Sequence, residues 1–287
     1  PECVECARKQ AQRVLDLIRE ESPEDPISPA EEENIRQDVA KVLLEYPEDI
    51  TPAGLACRVL DTVKAHTGVA DPFLRAKTES NASAVALLPE LRQRMAEADC
   101  PLLAGALLAC AGNIIDLGIQ REINVEESID RVFSRGFARN DFDAFREDIS
   151  KAEMLLYLAD NAGEIVFDRV FIEEILKAAP HLDLVLAVNH GPVLNDAQME
   201  DARQAGLCDL VRVIDNGYSG LGTDLKESSK LFCRLFSQAD VIISKGQANF
   251  ETLDDRPENI YFIMQAKCEG VAEELKVNFL DSVFVRF

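Results

Sequence analysis

The chain has no tryptophan, only 3 histidines, and 30 lysines and arginines against 52 aspartates and glutamates in 287 residues. Each shortage excludes something. The formal charge of −22 is spread over both halves rather than gathered in a tail. Such a field repels nucleic-acid backbones and anionic lipid, which need a basic footprint to displace their counterions. No nucleic-acid partner and no membrane partner is therefore expected. No apolar run approaches the roughly 18 to 20 residues of a membrane span, and the opening PECVECARKQ lacks a basic region followed by an apolar one. A soluble, cytoplasmic protein is the expectation. Three cofactor and nucleophile fingerprints are also missing: no G-x-G-x-x-G follows the first strand, and neither G-x-x-x-x-G-K-[ST] nor G-x-S-x-G occurs. Dinucleotide, P-loop and nucleophilic-serine readings lose their support.

What is present is a hydrophobic content of 47%, ample for a core. Eight cysteines lie at 3, 6, 57, 100, 110, 208, 233 and 268, most in apolar surroundings such as LLACAGN and LFCRLF. There cysteine acts as a small hydrophobe, and without a secretion signal a disulfide framework is not expected. Cys3-x-x-Cys6 differs, because its spacing suits a metal or a redox pair. A tetrahedral zinc would need two further ligands, for which Cys57 and His66 are the candidates. The alternative is a plain helix start.

Residues 1–150 read as helical. CARKQAQRVLDLIRE, EEENIRQDVAKVLLEY, TPAGLACRVLDTVKAH and ASAVALLPELRQRMAEA each repeat apolar residues at spacings of three and four. Thr51-Pro52 sets a capping residue before a proline at the first helical position. PLLAGALLACAGNIIDLG is apolar enough for a buried helix, with polar Asn113 and Asp116 inside it. Residues 151–287 change rhythm. AEMLLYLA, LDLVLAVN, DLVRVID, DVIISK and NIYFIMQ read as strands, with helices near 163–178, 195–205 and 224–238 between them. That alternation predicts a mainly parallel sheet covered by helices, a Rossmann-like three-layer α/β portion carrying a helical N-terminal portion as one unit.

In open parallel sheets ligands bind beyond the carboxyl ends of the strands. Four predicted strands end in unusual polarity: Asp160-Asn161-Ala162-Gly163-Glu164; Asn189-His190-Gly191-Pro192 leading to Asn195-Asp196; Asp215-Asn216-Gly217; and Ser244-Lys245-Gly246-Gln247-Ala248-Asn249. Asp, Asn and Gly also make ordinary turns and caps, which suffices for Asp215-Asn216-Gly217 and is an alternative for Asp196. GYSGLG at 217–222 is open between an active-site loop and a connector. A carboxylate beside an amide at 160–161 exceeds what one cap needs. Oxygen donors on adjacent strand ends, with no Cys or His cluster beside them, suit a hard cation such as magnesium or manganese. Lys245, with a glycine next to it that admits backbone N–H groups, would complement a phosphate. The pattern predicts metal-assisted phosphoryl hydrolysis.

DNAGE at 160–164, GPVLNDA at 191–197 and KGQANFE at 245–251, preceded by DPF at 71–73 and AGNIIDLG at 111–118, resemble the metal-dependent damage-control phosphatase family. The opening CxxC is similar to its prokaryotic branch. The resemblance implies a phosphatase for small phosphorylated metabolites, with sugar phosphates as the family-level expectation. By motif match it implies Asp160, Asn161 and Asp196 as metal ligands, Lys245 on the phosphate with Asn249 nearby, and Asn113 and Asp116 lining the pocket. Lys245 and the backbone N–H groups of Gly246 and Gln247 would stabilise the transferring group. Asp160 is either nucleophile or ligand only, and Glu164 is a candidate general acid or base. Magnesium, manganese, cobalt or nickel would all suit the ligand set. The competing readings are a non-catalytic metal- or metabolite-binding protein and an S-adenosylmethionine-dependent carboxyl methyltransferase.

Overall fold

The structure is a computed structural model describing residues 2–21, 27–47, 50–112 and 125–287. Its first layer is α1 (Glu2–Glu21), α2 (Pro29–Val42) and α3 (Pro52–Thr67). The helix starts follow local chemistry. Ser28 Oγ accepts from the Glu31 N–H, while Glu31 Oε2 accepts from the Ser28 N–H, a reciprocal box before Pro29. Thr51 Oγ1 likewise accepts from the Gly54 N–H ahead of α3. Gly68, at φ 67°, ends α3 in the left-handed conformation that costs glycine little.

The helix expected over ASAVALLPELRQRMAEA begins earlier, as α4 (Leu74–Glu97), and passes through Pro89. It is followed by α5 (Pro101–Gly112), α6 (Val125–Arg135), β1 (Arg139–Asn140) and α7 (Phe142–Lys151). Then come β2 (Met154–Leu158), α8 (Glu164–Ala178), β3 (Asp183–Val188), α9 (Met199–Gln204), β4 (Arg212–Asp215) and α10 (Lys230–Gln238). The chain closes with β5 (Val241–Lys245), α11 (Gln247–Leu253), β6 (Ile260–Gln265), α12 (Glu269–Leu275) and β7 (Ser282–Arg286). Among the described residues one 7-stranded sheet runs in the order β1-β7-β6-β5-β2-β3-β4. Only the β6–β7 pairing is antiparallel. The predicted α/β class and all five predicted strands hold. β1 and β7 are additional, and β1 and α7 lie before residue 151.

Alternation along the strands divides the core into two layers. Leu155 and Tyr157 of β2 face α4 to α9, and Leu156 and Leu158 face α10 to α12. α5 lies against α8 so closely that a Cβ on Gly105 or Gly112 would come within 3.1 Å of Phe171 or Phe167. A third cluster joins α1, α2 and α3 and reaches the rest of the molecule at Phe73, Val193 and Leu221. No helix among the described residues is long and apolar enough to cross a membrane. The strand order leaves β3 and β4 on one side of β2 and β5 and β6 on the other, so a crevice opens at the carboxyl ends of β2 and β5.

Candidate active site

At that crevice the chain leaves β2 through Asp160, Asn161, Ala162 and Gly163 and enters α8 at Glu164. Gly163 turns at φ 77°. Its N–H donates to Asn81 Oδ1 of α4 at 2.7 Å, and Asn81 Nδ2 donates to Asp201 and Gln204 at 2.7 and 2.8 Å. The loop after β3 doubles back over this turn. The Ala197 N–H donates to Asp160 O at 2.7 Å, Ala162 N–H to Asn195 O at 2.9 Å, and Asn161 and Asp196 form an isolated antiparallel bridge. Asp196, distant in sequence, is thereby brought beside Asp160 and Asn161.

Their side chains are oriented by what surrounds them. Asn161 Nδ2 donates to Asp160 Oδ2 at 2.8 Å and to Glu164 Oε2 at 3.1 Å, so its hydrogens are committed and Oδ1 is the atom left to accept. The Asp160 carboxylate lies over Gly246, where φ is 81° and an added Cβ would stand 2.0 Å from Oδ2. Only glycine admits that approach. Burial, then Glu164 and Asp196, push the Asp160 carboxyl well up from its ordinary range, while Lys267 and Lys245 pull it back. Burial also raises Asp196, to about 7, against the hydrogen bond from Asn189 and the charge of Lys77. Two acids held near each other with their ionised forms disfavoured describe a site short of positive charge.

The remaining expected residues are placed differently from the sequence reading. Lys245 is fully buried, and its Nζ donates to Glu164 Oε1 and Asp168 Oδ1 at 2.6 Å each and to Ala109 O at 3.0 Å. Its ammonium serves the α5–α8 layer rather than the crevice. Glu164, 1% exposed, links Lys245 to Asn161. Tyr157 extends the network by donating to Asp168 Oδ1 at 2.7 Å. The Gly246 N–H donates to Ile263 O at 3.3 Å, so it belongs to the sheet instead of an anion. Asn249 donates to Lys245 O and Ala159 O and accepts from Thr223 Oγ1, pinning two strand ends to the residue that follows the 217–222 loop. That loop lines the crevice at Gly222, roofs it with Gly220 O, and rests on α3 through the Leu221 N–H to Cys57 Sγ contact of 3.1 Å. Asn113 and Asp116 lie outside the described residues.

Three contributors escaped the sequence reading. Lys267, exposed just past β6, exerts the first of the two lysine effects on Asp160. Lys77 of α4, 3% exposed, binds Asp71 of the DPF stretch at 2.7 Å and Gln198 at 2.6 Å. Asn81 is the third. At the opposite end of the chain Cys3 and Cys6 are exposed on the first turns of α1. Burial, then Cys3, Glu251 and Cys268, raise the Cys6 thiol, so Cys268 is its distant cysteine neighbour. Cys57 and His66, the expected partners, are engaged with Leu221 and Asp38.

Among the described residues no three His, Cys, Asp or Glu side chains are grouped to hold a metal by themselves. A cation at the crevice would draw on amide oxygens too. The donors present fit a hard ion: the Asp160 and Asp196 carboxylates, Asn161 Oδ1, and a buried amide oxygen on Asn189 that has no hydrogen-bond partner.

Comparisons with known proteins follow the same outline. Residues 1–283 match the sequence model of the damage-control phosphatase ARMT1-like domain. The chain is 34% identical over 284 residues to the damage-control phosphatase PH1575 of Pyrococcus horikoshii, covering 96% of this chain and 93% of that protein. It is 32% identical over 290 residues to a damage-control phosphatase of Archaeoglobus fulgidus, covering 99% and 97%. The crystal structure of the Pyrococcus protein, described as a DUF89 family protein, superposes with a TM-score of 0.89 at 31% identity, covering 99% of this chain and 97% of that one.

Proposed function

The chain belongs to the ARMT1-like damage-control phosphatase family, and from that membership we propose that it is a divalent-metal-dependent phosphatase hydrolysing small phosphorylated metabolites at the crevice between β2 and β5. The observation that supports this most is the junction at 160–161 and 196. It gathers two carboxylates and an oriented amide where opposed like charges leave a need for a cation. When bound, the ion would polarise a phosphate oxygen and offset charge on the transferring group. Asp160, Asn161 and Asp196 would hold it. Gly246 leaves the space that the Asp160 carboxylate occupies, and Glu164 fixes the Asn161 amide. We assign the phosphate contact to Lys267, because Lys245 is committed to Glu164 and Asp168 while Lys267 is exposed and acts on Asp160.

The test is hydrolysis of a generic phosphate monoester by chelator-treated protein with magnesium, manganese, cobalt or nickel restored, beside Asp160→Ala. Restoration by at least one ion is expected, with a loss of about a hundredfold or more in the variant, as for removal of a charge-stabilising group. A metal-independent activity, or an Asp160→Ala variant that retains it, would overturn the assignment.

A further inference from the structure

Among the described residues that line the cavity at the crevice, Asn189 carries a buried side-chain oxygen with no hydrogen-bond partner. It stands just beyond β3 and is 8% exposed. Both of its Nδ2 hydrogens are directed at acceptors, Asp196 Oδ2 at 3.1 Å and Gly220 O at 2.8 Å. Turning the amide over would set oxygen against oxygen at both contacts, so the positions of its nitrogen and oxygen are fixed by their neighbours. Oδ1 is then buried with no partner. Leaving a buried acceptor unsatisfied forfeits its hydration with nothing in return. Asn189 also lines a polar cavity of about 20 Å³ together with Asp160, Asp196, Asn216, Thr223 and Asn249. A volume of that size admits one water-sized occupant.

The occupant's charge follows from the walls. Asp160 and Asp196 both line the cavity, and the Asp196 carboxylate lies against the Asn189 amide. A neutral donor would satisfy Oδ1 and leave the two acids in opposition, whereas a small hard cation answers all three oxygens at once. We infer that Asn189 Oδ1 is a further ligand of the divalent cation, which sits on the inner side of Asp160 and Asp196 in this cavity. This rests on the metal site proposed above and adds a donor to it. With the Asp160 and Asp196 carboxylates it brings three protein oxygens from the cavity wall, and an ion preferring six keeps further positions for Asn161, water or a phosphate oxygen. The Nδ2 contacts then have a second use, since they aim Oδ1 while holding Asp196 and the 217–222 loop in place.

The deciding experiment is a crystal of the wild-type chain grown with manganese, with anomalous diffraction locating the ion. A peak within about 2.0 to 2.4 Å of Asn189 Oδ1, and also on Asp160 and Asp196, is the expected result. A peak on the two carboxylates with Asn189 Oδ1 beyond hydrogen-bond distance would overturn the inference and leave the metal site standing. Absence of any manganese, in the crystal and in calorimetric titration of the wild type, would overturn both. In solution, Asn189→Ala should bind manganese at least about tenfold more weakly. Asn189→Ser, which keeps a buried oxygen, should lose less. Equal affinity in both variants and the wild type would reduce Asn189 to a loop fastener.

Discussion

Lys245 shows at the level of a single residue how a strand end can be read correctly and its side chain wrongly. Val241 and Ile243 face the layer of α5 and α8, and a period of two puts Lys245 on the same face. Its direction was thus available from the alternation, but only once the covering of each face was known. The consequence is a buried cluster in which one lysine is shared by two acids. Burial alone would lower Lys245, yet Asp168 and Glu164 outweigh it and hold the ammonium well above its ordinary range. On Asp168 the balance runs the other way: burial raises it, Lys245 pulls it down, Glu164 pushes it up, and it settles at about 6. One positive charge offsets only part of the cost of burying Asp168, which therefore binds a proton more readily than an exposed carboxylate. Its folded value then lies above the unfolded value of about 3.9. The native state holds this proton more tightly, and the unfolding free energy falls as pH rises from about 4 to about 6, by up to about 3 kcal/mol. Urea unfolding at several pH values should show that decline in the wild type and a shallower one in Asp168→Asn. Parallel slopes would place the shared proton on another group.

Among the elements, α4 carries none of the expected motif residues and yet reaches DPF through Lys77 and DNAGE through Asn81. Its buried face runs Lys77, Asn81, Ala84, Leu88, Leu91 and Met95, polar at the start and apolar after it. That stripe shows the helix crossing from a polar crevice into the core, and it is visible in the sequence as polar residues at spacings reserved for apolar ones. Asn81 caps the Gly163 N–H and grips α9 through Asp201. Asn81→Leu would strip the Gly163 N–H and Asp201 of buried partners, a cost of about 2 to 4 kcal/mol. It should also reduce phosphatase activity by letting the 160–163 turn relax. Thermal unfolding and kcat measured on the same preparation check both, and undiminished activity in a destabilised variant would separate α4 from the site. Of the five predicted strands, β2, β3, β5 and β6 were legible because burial on both faces makes them continuous apolar runs, while the edge strand β4 was legible from the short apolar pattern of Val211, Val213 and Ile214. β1, two residues long, carries no pattern to read, and the sequence reading passed over SVFVR, which forms β7, the strand paired antiparallel to β6. The three positions proposed for the metal were singled out from adjacent oxygen donors, and the structure sets them side by side. Lys267 was not, since a lone lysine after an apolar strand looks like a solvated end until the strand order sets β6 beside β5.

At the scale of the whole molecule, packing separates α1 to α3 from everything after them. α4 to α9 share one core with the sheet, while α1, α2 and α3 bury their apolar faces mainly against one another. Among the described residues, their links to the rest include Phe73, Val193, Leu194, Leu221 and Ala248 in or against their cluster, Cys57 under Leu221, and Lys64 donating to Pro192 O. Val193, Leu194 and Leu221 belong to the loops that reach the crevice at Asp196 and Gly222, so the outer layer rests on the loops that shape it. A layer with a core of its own, joined chiefly through loops, can open without unfolding the sheet, because the free energy of opening scales with the apolar area and hydrogen bonds given up. Native-state hydrogen exchange should therefore find the amides of α1 to α3 released through an opening of lower free energy than those of β2, β3, β5 and β6. The difference should be at least about 2 kcal/mol, the burial of one or two large side chains. Leu221→Ala, which removes a side chain shared by loop and layer, should lower the opening free energy of α1 to α3 by more than that of the strands. One common free energy for every slow amide, unchanged in its distribution by Leu221→Ala, would mean that the layer and the sheet unfold as a single unit and that the crevice loops owe their order to the whole fold.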